Sequence, residues 1–205
     1  MPVIGAREAL ERLREGNRRF ASDVTGSEAA VSTTRRRAVA AGQSPFAIIL
    51  GCSDSRVPAE IVFDQGLGEL FVIRVAGNIV APSQIGSVEF AAERYGTRLV
   101  VVLGHSTCGA ILTTIEELGR APDHRHRNLG SIVNRIKPSV QSLLDAGLTD
   151  HEALVHHAVR TNIRMSVAHL RTGSAVLEQL IAEEGLMVVG AEYSLESGLV
   201  EFFDT

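Results

Sequence analysis

Three side chains at alternate positions, Cys52, Asp54 and Arg56, follow an apolar run that begins at Phe46, and together they offer a thiolate, a carboxylate and a guanidinium. In extended backbone, positions two apart project to one side, so the three would share one small space. Farther on, a second apolar run, Leu99–Leu103, ends in Gly104-His105-Ser106-Thr107-Cys108-Gly109 and adds an imidazole and a second thiolate. Two thiolates and one imidazole are the donors a borderline-soft ion such as zinc prefers, and three protein ligands leave a coordination position open for chemistry. A structural site would want a fourth. The spacing His105-x-x-Cys108 is only moderately specific. Taken singly, His105 also reads as a satisfied core histidine and either cysteine as a small buried hydrophobe.

The elements that must position these groups alternate along the chain. Strand-like runs at Phe46–Gly51, Leu70–Val75 and Leu99–Leu103 are separated by helical patterns at Val57–Phe63 and Ser83–Tyr95. Continuously apolar strands alternating with helices imply a parallel sheet covered on both faces, with functional groups at the carboxyl ends of the strands. Cys52 and His105 fall at those ends. A helix from Cys108 to Leu118 follows, then a polar loop at 121–128. Ser131–Leu144 reads as a helix interrupted near Pro138, and Thr149-x-x-Glu152 as a capping box that opens a long helix. Val155, Val159, Ile163, Val167 and Leu170 are its core stripe. Ser174–Glu183 is a last helix, Met187–Ala191 a fourth strand, and Leu199–Phe203 a short strand able to pair antiparallel at an edge. At the other end of the chain, Arg7–Phe20 is amphipathic, with Leu10, Leu13 and Phe20 on one stripe. With no partner in its own neighbourhood, it is expected to pack on a distant part of the fold or, the reading adopted, on a partner subunit. Arg35–Ala41 is a short helix. The fold class is therefore α/β: a mostly parallel central sheet of four strands plus an antiparallel edge strand, flanked by helices. One domain is expected across residues 1–205, with 1–42 as an N-terminal helical arm and 43–205 as the α/β core.

A chain of 205 residues, 45% of them hydrophobic, can bury a full core without covalent staples. Its two cysteines both stand at strand ends, unlike a secreted disulfide framework. A net charge of −4 argues against a nucleic-acid partner, and Arg35-Arg36-Arg37 is too short a run to alter that. No stretch has the apolar length to span a bilayer and the N-terminus lacks a continuous apolar segment, so no membrane partner and a cytoplasmic location are expected.

Three longer stretches, GQSPFAIILGCSDSRVPAE from Gly42, GELFVIRVAGN from Gly68 and GSVEFAAERYGTRLVVVLGHSTCGA from Gly86, resemble the β-class carbonic anhydrases, in particular their plant-like branch. That resemblance implies a zinc enzyme that reversibly hydrates carbon dioxide to bicarbonate and a proton, by attack of a zinc-bound hydroxide. It implies one zinc per chain, held by Cys52, His105 and Cys108, with Asp54 and Arg56 as the catalytic dyad. Gln43 matches a substrate-binding glutamine of the plant-like branch and Phe71 an aromatic lining its pocket. Phe90 departs from the tyrosine usual there, which removes a hydroxyl and keeps an apolar wall. Carbon dioxide, small and uncharged, needs an apolar pocket, for which Val57, Phe71, Ala76 and Phe90 are the candidates. Charge that develops on its oxygens calls for donors, here Gln43 and the backbone N–H of Gly109. His124 and His126 are candidate proton acceptors. Together, family and unpartnered helix suggest a homodimer or a dimer of dimers, in which Gln43 and Phe71 reach the zinc of a neighbour.

Rival functions keep some of these features. A hydrolase of carbonyl sulfide or carbon disulfide would use the same ligands and differ in pocket access. A zinc- or redox-sensing protein would use Cys52 and Cys108 as a switchable dithiol. Alcohol dehydrogenases are disfavoured because no G-x-G-x-x-G follows a strand, and zinc deaminases for lack of H-x-E with P-C-x-x-C.

Overall fold

The two most apolar stretches of the sequence become the two most deeply buried strands. In the computed structural model, which describes residues 4–24, 32–120 and 128–203, β1 (Ala47–Gly51) and β3 (Leu99–His105) are buried along their whole lengths. They lie side by side at the middle of a five-stranded sheet, flanked by β2 (Leu70–Arg74) on one side and by β4 (Met187–Tyr193) and β5 (Val200–Phe203) on the other. The order is β2-β1-β3-β4-β5. All pairings are parallel except the last, where β5 runs antiparallel along β4 with Gly190 opposite Phe203 and Tyr193 opposite Val200. The expected sheet of four parallel strands with an antiparallel edge is what the chain forms.

Strand alternation divides the core into two layers. Ile48, Leu50, Val100 and Val102 face a layer that also holds Val88 of α4 (Pro82–Tyr95), Ile111 of α5 (Gly109–Leu118), Ile136 of α6 (Gly130–Asp145), Ile163 of α7 (His151–Thr172) and Leu177 of α8 (Ala175–Glu183). Ala47, Ile49, Leu99, Val101 and Leu103 face the other, with Leu10 and Leu13 of α1 (Ala6–Ala21) and Val62 of the short α3 (Ala59–Val62). A six-residue α2 (Thr33–Ala38) precedes the first strand and buries none of its residues. Because β2 and β3 lie on opposite sides of β1, the chain reverses its direction of travel across the sheet there, at the carboxyl ends of β1 and β3 where open α/β sheets bind ligands.

Three local expectations are corrected. The stripe of helix α1, expected on a partner subunit, instead takes the other expected place, on a distant part of its own fold: Leu10 and Leu13 lie in one apolar cluster with Ile49 and Val101 of the same chain. Its partners are distant in sequence, so the stripe has no visible neighbour until the sheet forms. Asn17 ties the helix down, donating to the carbonyls of Val62 (3.1 Å) and Gly198 (2.9 Å) and accepting from the N–H of Val200 (2.8 Å). The second correction concerns α6, which runs unbroken through Pro138. Pro138 and Asn134 are exposed, so the carbonyl that proline leaves without a donor faces water, while Val133, Ile136 and Val140 stay buried. Finally, the cap of α7 is Asp150 and not Thr149; its carboxylate accepts from the N–H of Ala153 at 2.8 Å.

Gly16 lets α1 lie close against the body of the protein. A Cβ there would stand 1.8 Å from the carbonyl oxygen of Phe63. Since that obstacle is backbone, the helix itself must move. Gly16→Ala is expected to destabilise the fold by roughly 3 kcal/mol, the upper end for overpacking, read as a lowered midpoint in thermal or urea unfolding.

Candidate metal centre

The carboxyl ends of β1 and β3 bring the chemistry-bearing residues together. Cys52 is the first residue beyond β1, His105 the last of β3, and Cys108 the cap residue before α5, reached through a left-handed Thr107 (φ 50°). The ligand atoms of Cys52, His105 and Cys108 all lie within 4.8 Å of one another, and the two sulfurs are 4.0 Å apart. Two Zn–S bonds of about 2.3 Å at a tetrahedral angle span roughly 3.8 Å, so the sulfurs already stand at the separation that one ion requires.

The imidazole gives the more telling observation. His105 is wholly buried; its Nδ1 lies 3.0 Å from the carbonyl oxygen of Ser106, and its Nε2 has no hydrogen-bond partner. A carbonyl can only accept, so Nδ1 carries the hydrogen and the Nε2 lone pair is aimed, unpaired, toward the sulfurs. A buried acceptor without a donor is costly, and a cation at that point removes the cost. The residues present therefore fit a zinc ion held by two thiolates and one neutral imidazole.

A hydrogen bond joins the two sulfurs. The hydrogen bond from the Cys108 thiol lowers Cys52 to about 4, helped by His105 and by the backbone N–H groups of Gly77 and Asp54 against the cost of burial. That same bond, together with burial, pushes Cys108 far up. Burial opposes a charged His105, but the facing Cys52 thiolate, the Ser106 carbonyl and Asp54 together outweigh it and raise the imidazole.

Asp54 and Arg56 form the second half of the site. The guanidinium grips the carboxylate with both arms, Nε to Oδ1 at 2.9 Å and Nη2 to Oδ2 at 2.7 Å, and the Arg56 backbone N–H adds a third bond of 3.0 Å. This grip, with the charge of His105, holds Asp54 well below the usual carboxylate range. Its Oδ2 still lies only 3.8 Å from Nε2 of His105.

Of the pocket candidates, Ala76 opens a one-turn 3₁₀ helix just past β2 and Gly109 begins α5, where the first N–H groups have no intrahelical acceptor. Val57 is buried beside the Cys52 loop. Gln43, Phe71 and Phe90 gather elsewhere, around Tyr95: the Gln43 amide donates to the tyrosine oxygen at 2.9 Å, and both phenylalanine rings lie about 6 Å from the tyrosine ring. Gln43 precedes β1 whereas Cys52 follows it, so within one chain the two stand at opposite ends of a five-residue strand. His124 and His126 lie outside the described residues.

The sequence reading missed several residues. Arg74 braces the Cys52 loop, donating to the carbonyls of Cys52 (3.0 Å) and Asp54 (2.5 Å). A cation closing the otherwise apolar run LFVIR was its signal. Tyr95, the anchor of Gln43, left no trace beyond its place on the helix.

A Cys₂His centre at the carboxyl edge of a parallel sheet, with a carboxylate–guanidinium pair beside its open side, defines a metalloenzyme class. The model of the family described as carbonic anhydrase matches residues 47–200. Carbonic anhydrase 2 of Mycobacterium tuberculosis is 38% identical over 200 residues, covering 97% of this chain and 93% of that protein. The carbonic anhydrase of Mycolicibacterium smegmatis is 37% identical, covering 98% and 95%. Among solved structures, the β-carbonic anhydrase CafA of Aspergillus fumigatus superposes with a TM-score of 0.73 at 25% identity, covering 97% of this chain and 90% of that one. The chain belongs to the carbonic anhydrase family, in its β class.

Since the ion must displace the proton that Cys108 keeps, zinc affinity should rise about tenfold per pH unit, and more steeply where His105 is also protonated. Chelator competition across a pH series reads that slope. Metal analysis should give about one zinc per chain, and Cys52→Ser should lose most of it.

Proposed function

We propose that this chain catalyses the reversible hydration of carbon dioxide to bicarbonate and a proton, with the unpaired Nε2 of His105 facing two sulfurs as the observation that carries the reading. When bound, zinc acidifies a water at its open position and so supplies the hydroxide that attacks the substrate carbon. Asp54, kept anionic by Arg56, can only accept hydrogen bonds and takes the one that orients the attacking water. Arg56 holds that carboxylate at a fixed distance, and Arg74 fixes the loop that carries it.

Carbon dioxide sits against the apolar walls of Val57 and Ala76, and the N–H of Gly109 faces the oxygen that gains charge. Gln43 and Phe71 complete the pocket of a neighbouring copy in a homodimer or a dimer of dimers. Supporting this is their position at the far end of β1 from their own metal centre, together with an exposed Phe90 in the same aromatic cluster. A cytoplasmic setting belongs to the proposal and suits two free cysteines that meet at a metal site. None of the helices among the described residues is long and apolar enough to cross a membrane.

Purified protein should hydrate carbon dioxide in a stopped-flow assay and lose the activity on removal of zinc. In sedimentation, Phe90→Glu is expected to lower both the mass of the assembly and the rate. A fully active wild-type monomer at micromolar concentration would refute the shared pocket.

The position of Asp54 implies a second test. Freed from Arg56, its carboxylate is close enough to take the fourth ligand position. Arg56→Ala should lower the rate about 10- to 100-fold and place Asp54 on the metal in a crystal structure, and Asp54→Ala added to it should recover part of the loss. A double variant slower than Arg56→Ala counts against this role for Arg56.

A further inference from the structure

The buried stripe of α7 carries two polar residues, Asn162 and Ser166, at positions where the helix otherwise buries Val155, Val159, Ile163 and Val167. Both side chains are spent on one short stretch of backbone. The Asn162 amide donates to the carbonyl of Gly77 at 2.8 Å, and the Ser166 hydroxyl donates to that of Asn78 at 3.1 Å. These carbonyls belong to the 3₁₀ turn Ala76–Asn78, whose Gly77 N–H donates to the sulfur of Cys52 at 3.3 Å.

Gly77 is the least constrained link in that chain of contacts. It sits at φ 71°, and a Cβ would stand 2.7 Å from Ile136 and 3.0 Å from Ala110, so glycine is the residue that fits. Freedom at this residue would let its N–H swing off the sulfur. The peptide unit that follows is fixed at both ends, its carbonyl by Asn162 and its N–H by the carbonyl of Val75 at 3.1 Å. With that unit immobile, the torsions of Gly77 are set and its own N–H stays aimed at Cys52.

We propose that Asn162 is a positioning residue of the metal centre: by holding the Gly77 carbonyl it keeps the Gly77 N–H on the Cys52 sulfur, which draws charge from the thiolate that binds the ion. The inference rests on the metal-centre reading above. Its importance follows from the donor set, since two thiolates cancel the formal charge of Zn²⁺ and dull its Lewis acidity. An N–H···S hydrogen bond returns part of that acidity, and partners behind the ligands are where such tuning is built.

The test replaces zinc by cobalt(II), whose thiolate-to-metal charge-transfer band reports the electron density on sulfur. Asn162→Leu should shift the band to lower energy and weaken zinc binding about tenfold in chelator competition, the low end for outer-sphere partners. Asn17→Leu controls for general loosening, because Asn17 is an equally buried asparagine that clamps backbone on the opposite face of the sheet. It should cost thermal stability and leave band and affinity unchanged. If Asn162→Leu fails to fold, Asn162→Ala is read the same way. Unchanged band and affinity in the Asn162 variants, or equal shifts in Asn17→Leu, overturn the proposal and leave the carbonic anhydrase reading standing. A wild-type cobalt protein with no thiolate band at all would sink both.

Discussion

Burying two sulfurs and an imidazole nitrogen together in one small space is the constraint on which this structure turns. Each is an electron-rich acceptor taken out of water, and three of them together are tolerable only around a proton or a cation. Among the side chains themselves, one hydrogen bond joins the two sulfurs, and Nε2 of His105 is left without a partner. Nearly everything within reach of the site supports that concentration of acceptors: the N–H of Gly77 on one sulfur, the carbonyl of Ser106 on the far side of the ring, and the N–H groups of Ala110 and Ile111 in the first turn of α5 toward the other sulfur.

The fold places this demand where a parallel sheet can meet it. β1 and β3 are adjacent and the chain travels away from β1 in both directions, the arrangement at which open α/β sheets gather functional groups. In the register, Gly51 stands opposite Leu103, so Cys52 and His105 emerge at nearly the same level of the sheet. Ile48, Leu50 and Cys52 share one strand face, which is why the sulfur joins the apolar layer beneath α5, α6 and α7 while the next residues turn outward. The apolar burial that stabilises the sheet thus also fixes the donor set.

Asp54 puts a second charge beside that site. Its carboxylate lies 3.8 Å from Nε2 of His105, and Arg56 occupies both of its oxygens. A bidentate grip of this kind needs the planar fork of arginine, and lysine would hold only one oxygen at a time. Arg74 acts one level further back, on the carbonyls of the loop, so the carboxylate is restrained through both its side chain and its backbone.

The sequence by itself determined the elements whose signal is local. Apolar runs gave the five strands within one residue, except at the ends of β3 and β4, which extend two residues past Leu103 and Ala191 because His105 and Tyr193 pair across the sheet. Three candidate ligands were legible because the chain's two cysteines and a histidine fall at the ends of apolar runs. Only the tertiary structure decided what each side chain meets across the sheet. It gave α1 a partner in its own chain, carried α6 through Pro138 on an exposed face, and put Gln43 at the opposite end of β1 from Cys52. Asn162 is the clearest case. A polar residue on an otherwise apolar stripe is visible in the sequence, but the carbonyl it holds lies 85 residues away, and nothing local says which buried acceptor a buried donor will find.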